Sequence, residues 1–212
     1  MRTGEGGRRS DVGSPLPVSV RWDLPLWAQD LLQPDQRFRT TSERMGLAVE
    51  LSRRNVAEGT GGPFGAAVFD LSTFRPLALG VNLVMPTSSP AAHAEVVAIC
   101  LAGQALGNYD LGMGGGNPTE LVTSCSPCAM CLGAVPWSGV SSLVIAAREE
   151  DARSVGFDEG NRPPDWVDGL RRRGIEVTED VLRAEAVEVL RHYVNEGGVV
   201  YNSSKTEEEQ LA

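Results

Sequence analysis

No apolar run in the 212-residue sequence approaches the ~20 residues that a membrane-crossing helix needs, so no span is predicted. The first twenty residues are rich in Gly, Ser, Pro and Arg and lack the apolar centre of a secretory signal. Residues 1–20 are therefore expected to form a disordered lead-in. Positive charge is in deficit: the formal net charge is −9 and the pI is near 4.8. Proteins that hold polyanions draw most of their affinity from basic surface, so a nucleic-acid substrate is not expected. The Arg171-Arg172-Arg173 run reads as a solvated helix end. Cysteine occurs only four times, and the cysteines look reserved for metal, which points to a reducing cytoplasm. Internal repeats are absent, and the glycine-rich stretch from Leu111 to Pro118 lacks phosphate-loop spacing and reads as a plain loop.

What remains is ordinary for a globular protein: 42% hydrophobic and 22% charged residues. The length fits one domain over 21–202, with an N-terminal extension at 21–40 and an acidic tail at 203–212. The segment Trp22 to Leu32 is too apolar for a free tail and is expected to pack on the body or on a second subunit. Thr40-Thr41-Ser42-Glu43 is a capping box, and Met45, Leu47, Ala48, Leu51 and Val56 form a helical stripe running to about Glu58. Two strands, Phe64 to Asp70 and Leu77 to Val84, are expected to pair as a hairpin through a turn containing Arg75-Pro76. A helix from Pro90 to Leu106 follows, with Val96, Val97, Ile99 and Cys100 inward. Then come a strand at Glu120 to Ser124, a helix to about Trp137, and a buried strand at Ser142 to Ala147. A loop follows at Ser154 to Arg162, then a helix at Trp166 to Arg173, a strand at Ile175 to Thr178 and a final helix at Glu179 to Asn195. A hairpin followed by alternating helices and strands predicts an α/β fold: a three-layer α/β/α sandwich with a mixed five-stranded sheet.

Two short stretches organise the chain: His93-Ala94-Glu95 and Pro127-Cys128-Ala129-Met130-Cys131. His93, Cys128 and Cys131 offer one imidazole and two thiolates, the three-ligand set of a catalytic zinc whose fourth position is left to water. Glu95, two residues beyond His93, is free to hold and move protons. Ser126-Pro127 and Ser89-Pro90 each read as an N-cap followed by proline at the first helical position, so two helix starts are expected to meet at the metal. The unpaired N–H groups and positive dipole end of a helix start favour thiolate over thiol. Taken singly, Cys-x-x-Cys suits a structural zinc half-site or a redox pair as readily, and His-x-Glu an ordinary helix surface. Their conjunction favours a catalytic site.

The H-x-E…P-C-x-x-C pattern resembles that of the zinc-dependent nucleobase deaminases. From about Gly61 to Tyr201 the chain resembles the cytidine deaminase-like superfamily, and within it the bacterial guanine deaminase branch. The likeness is carried by Gly61-Gly62-Pro63-Phe64-Gly65-Ala66, Gly80-Val81-Asn82, Ala92-His93-Ala94-Glu95-Val96, Thr123-Ser124-Cys125, Cys131-Leu132-Gly133-Ala134, Trp137 and Gly156-Phe157-Asp158-Glu159. It implies one zinc per subunit, a homodimer, and a small heterocyclic base as substrate, guanine first. It also implies that Asn82 hydrogen-bonds the base, that Phe64, Trp137 and Phe157 wall the pocket, and that Ala92 contacts the substrate. Tyr201, with Tyr193 behind it, would fold over the pocket. Glu95 would shuttle protons for the zinc-activated water, and Glu159 would be a second shuttle that helps protonate the leaving amine. An s-triazine, a cytosine analogue or a purine nucleoside is the alternative substrate. A non-catalytic zinc-binding module of the same fold is the alternative class. The family often has Glu-Pro-Cys-Pro-Met-Cys where this chain has Ser126-Pro127-Cys128-Ala129-Met130-Cys131, a change at the substrate rim that spares the ligands.

Overall fold

The computed structural model describes residues 16–112 and 116–202. The expected lead-in falls largely on 1–15 and the expected acidic tail on 203–212, both outside the described residues, as is part of the glycine-rich loop. Residues 16–20 are exposed and without regular structure.

The N-terminal extension is bound to the body. Leu26–Leu31 forms a 3-10 turn, with Trp22 Nε1 donating to Ser89 Oγ at 3.2 Å and Trp27 Nε1 donating to Thr60 Oγ1 at 3.2 Å. The first helix, α1 (Thr41–Ala57), starts at the expected capping box: Thr40 accepts from the Glu43 amide and Glu43 returns the bond. Such a box satisfies two N–H groups that would otherwise be orphaned at the helix start. Met45, Ala48 and Leu51 of the stripe are fully buried.

The strands β1 (Gly62–Asp70) and β2 (Arg75–Asn82) pair antiparallel. The turn lies over 71–74, so Arg75 and Pro76 belong to β2 rather than to the turn, a correction to the expected hairpin. Phe74 takes the left-handed conformation there. Proline is tolerated because β2 is an edge strand and Pro76 sits beside a register shift, where no ladder N–H is required of it. A short helix, α2 (Val84–Thr87), follows. Next come α3 (Ala94–Leu106), β3 (Thr119–Cys125), α4 (Ala129–Ser138) and β4 (Ser142–Ala147). The chain then continues through α5 (Glu149–Ser154), α6 (Trp166–Arg171), β5 (Glu176–Thr178) and α7 (Arg183–Asn195). The final helix starts later than expected because Asp180 and Leu182 both have positive φ. Asp180 is held out by Arg148, and the Val181 amide donates to the Ile145 carbonyl of β4 at 3.1 Å.

The sheet order is β2-β1-β3-β4-β5, with β1 antiparallel to β2 and β3, and β3, β4 and β5 parallel. This is the expected mixed five-stranded sheet. Period-two alternation divides its side chains between two cores. Ala67, Phe69, Val122, Val144 and Ala146 pack with α1 and α7, whereas Ala66, Val68, Leu121, Leu143 and Ile145 pack with α3, α4 and α6. Small residues set the layer spacing: a Cβ on Gly80 would lie 2.1 Å from the Ala94 carbonyl, so the head of α3 rests directly on the sheet. Cys100 was expected inward but is exposed. Ala94, Ala98 and Ala102 face the sheet, and Cys100, two residues past Ala98, points about 200° away around the helix.

Candidate metal centre and active site

The site is built at the ends of β1, β2 and β3, where two helices begin. His93 is the N-cap of α3 and Cys128 the N-cap of α4, both with extended backbone. The expected Ser-Pro helix starts are corrected accordingly: each lies in the turn before its helix, with the helix proper beginning four residues after Ser89-Pro90 and two after Pro127. Ser126 gives its amide to the Ala147 carbonyl at 2.7 Å and its Oγ accepts from Arg162 at 2.7 Å, so it serves the turn rather than the helix. The shift moves the ligands themselves to the helix mouths, with Cys131 at the third residue of α4.

The ligand atoms of His93, Cys128 and Cys131 all lie within 4.8 Å of one another. His93 Nδ1 and Cys128 Sγ are 3.6 Å apart, close to the ~3.6 Å separating N and S on one tetrahedral zinc with bonds of about 2.1 and 2.3 Å. One imidazole and two sulfurs at that spacing suit zinc in both softness and geometry. Hydrogen bonding from the Cys131 thiol and contact with His93 outweigh burial and pull Cys128 down to about 4. Cys131 is pushed well up by Cys128 and by burial. The pair thus holds one thiolate ready, and a divalent cation would displace the second proton.

Two carboxyls face this group. Glu95, 6% exposed, is raised to about 7 by burial and then by the Cys128 charge. Glu159, also 6% exposed, is raised to about 8 by burial, Cys128 and Glu95. Buried carboxyls with shifted proton affinity beside a metal-ligand set are candidates for proton transfer. Both open onto a cavity of about 430 Å³, which Phe64, Asn82, His93, Cys128, Phe157 and Tyr201 also line. Phe157 meets Phe64 edge-on at 5.0 Å and Tyr201 at 5.4 Å, so three rings bound one side of the space. The Tyr201 hydroxyl is buried and has no hydrogen-bond partner among the described residues. Tyr193 lies behind, stacked on Phe157 with its hydroxyl bonded to the Val199 carbonyl.

Two expected substrate contacts are not brought to the cavity. Trp137 is 85% exposed on the outer face of α4, because the inner face of that helix is taken by Cys131 and Val135. Ala92 is fully buried and spends its backbone on Leu83 and Ser89. Met130, Asp158 and Asn202 also line the cavity, although none of them is expected from sequence to contact the substrate. Asn202 accepts from the Asp158 amide at 2.9 Å and donates to the Gly156 carbonyl at 2.8 Å, fastening the segment that carries Tyr201. Nothing in the residue types of a chain end foretells that contact.

Comparison with known proteins agrees with this geometry. Residues 39–147 match the family model of the cytidine and deoxycytidylate deaminase zinc-binding region. The guanine deaminase of Bacillus subtilis is 42% identical over 112 residues, 53% of this chain and 67% of that protein. A solved guanine deaminase structure from Nitrosomonas europaea superposes with a TM-score of 0.79 at 43% identity, covering 85% of this chain and 98% of its own. A mutant of NE0047 in complex with 8-azaguanine gives a TM-score of 0.78 at 44% identity, over 82% and 97% of the two chains. With the His-Cys-Cys group, the paired carboxyls and the mixed sheet in place, the chain belongs to the cytidine and deoxycytidylate deaminase zinc-binding family, as a hydrolytic deaminase of its guanine deaminase branch.

Proposed function

We propose that this protein removes the amino group of guanine, with one zinc per subunit held by His93, Cys128 and Cys131. The observation that carries the reading is the meeting of Glu95 and Glu159, from separate elements, in the cavity that holds the metal-ligand group. Its likeness to guanine deaminases over most of its length supports the choice of base. When bound, zinc supplies Lewis acidity that makes water a nucleophile near neutral pH. Glu95 would take one proton of that water and deliver it to the ring nitrogen beside the amino-bearing carbon, as the water oxygen bonds to that carbon. Glu159, whose burial favours its protonated form, would give a proton to the amine as the C–N bond breaks and ammonia leaves, and would recover one from the new hydroxyl as it becomes the carbonyl. Asn82 orients the base through its side-chain amide, while Phe64, Phe157 and Tyr201 stack about it and exclude water.

A homodimer is proposed as the working form. Its support is α4, which has no charged residue and leaves Trp137 85% and Met130, at the cavity rim, 41% exposed. Among the described residues no helix is long and apolar enough to cross a membrane. The cytoplasm is the proposed compartment, since reducing conditions keep both ligand thiols available.

The test is ammonia release by zinc-loaded protein from guanine, s-triazines, cytosine analogues, purine nucleosides and a tRNA anticodon stem-loop. Turnover of guanine well above the rest is expected. Preferred turnover of the stem-loop or of a triazine would overturn the choice of substrate.

A further inference from the structure

Arg162 lies outside the cavity, yet its side chain, 5% exposed, ties together the two segments that make the site. Nη1 donates to Ser126 Oγ and to the Pro127 carbonyl, each at 2.7 Å. Nε donates to Glu149 Oε2 at 3.1 Å, and Nη2 reaches the same carboxylate. The guanidinium lies over the Trp166 ring at 4.9 Å from its centroid. The planar fork of arginine suits several acceptors held at fixed angles, which a lysine ammonium cannot match.

The contact with Pro127 has a specific consequence. The Pro127 carbonyl and the Cys128 amide belong to one planar peptide, so fixing that oxygen fixes the plane from which the Cys128 side chain departs. On the other side, Arg162 is three residues beyond Glu159. The Glu159 carbonyl accepts from the Ala129 amide at 2.9 Å, at the mouth of α4. Gly160, with φ +68°, would bring a Cβ within 3.0 Å of the Ala129 Cβ, so the loop lies directly against the helix start. Glu149 also receives Arg153 at 2.7 Å, and Arg153 donates to the Gly160 carbonyl at 2.8 Å. Glu149 is thus the shared acceptor for two arginines that pin the Glu159 loop.

We propose that Arg162 is a positioning residue that, braced by Glu149, holds the Cys128 turn and the Glu159 loop in register, setting both the retention of zinc and the placement of the second carboxyl. It touches neither ligand atoms nor the cavity. Only its turnover arm depends on the deaminase reading; the metal arm does not.

The experiment compares full-length zinc-loaded parent, Arg162→Lys and Ser126→Ala. It measures the rate of zinc transfer to a chromogenic chelator, kcat per bound zinc, KM and melting temperature. Outer residues that orient metal ligands typically change affinity or activity by about 10–100-fold. Arg162→Lys, which keeps charge but loses the fork, is expected to release zinc about tenfold faster or more. Its kcat is expected to fall by about 10–100-fold, with KM within about twofold. Ser126→Ala, which removes one acceptor and is small enough to spare folding, is expected to shift zinc release in the same direction by about threefold. A lower melting temperature with unchanged zinc release in both variants would overturn the proposal. Should Arg162→Lys not fold, unchanged release in Ser126→Ala alone would do so. If the parent turns over no base, zinc release still decides the matter.

Discussion

Glu95 has one direct consequence that separates a proton shuttle from a metal ligand. Replacing it with Gln keeps shape and removes the exchangeable proton, so the rate of ammonia release should fall by about 10²–10⁴ while zinc content stays unchanged. Metal analysis beside the rate assay checks both halves; loss of zinc with retained turnover would make Glu95 a ligand. Glu159→Gln should lower kcat by a comparable or smaller factor and leave KM nearly constant, since its proposed work is on the leaving group. The sequence already displays much of this site. Ligand types and spacing pick out His93, Glu95, Cys128 and Cys131, and the resemblance picks out Asn82, Phe64, Phe157 and Glu159. Trp137 does not line the cavity of the single chain, and residue type alone cannot tell which face of α4 turns outward. Arg162 and Asn202 were not singled out because their roles depend on carbonyls that only the folded chain brings near.

Among the elements, α1 depends on its cap and on one buried ion pair. Thr40→Ala removes half of the capping box and should cost about 1 kcal/mol in urea unfolding. Arg44 and Glu120 pair with both side chains nearly fully buried, joining α1 to β3, and Arg44 also donates to the Phe38 carbonyl at 3.1 Å. Arg44→Met should therefore cost about 3–5 kcal/mol, because it strands a buried carboxylate, whereas Arg44→Met with Glu120→Leu should recover most of that loss. Denaturant midpoints of the two variants check the difference. The capping box and alternating strands were legible because they are local devices. The starts of α3 and α4 were not, since Ser-Pro is an N-cap signature that a tight turn can also use. The start of α7 was displaced by the Arg148–Asp180 contact, formed across 32 residues.

For the molecule as a whole, acid stability and assembly are the two open quantities. Asp151 is held below the usual carboxylate range by hydrogen bonds from Arg183, against some burial that acts the other way. A folded value below the unfolded one means that the unfolded chain binds more protons. The contribution is complete above the ordinary aspartate range near 3.9 and is lost as pH falls through the depressed folded value. Arg183→Gln should therefore lower the melting temperature at neutral pH, with the difference from parent shrinking in acid. Scans across pH check it; a difference that persists unchanged in acid would assign the effect to packing. If α4 carries the proposed homodimer contact, the parent should sediment as a dimer and Trp137→Glu as a monomer without loss of zinc, because the substitution places a charge on a helix that has none.

Whether a zinc site deaminates guanine through Glu95 is tested most directly by ammonia release from guanine by the zinc-loaded parent and by Glu95→Gln. Turnover by the parent, nearly abolished in a variant that still holds zinc, is the predicted result. A zinc-loaded parent that releases no ammonia from guanine, or a Glu95→Gln protein as active as its parent, would contradict it.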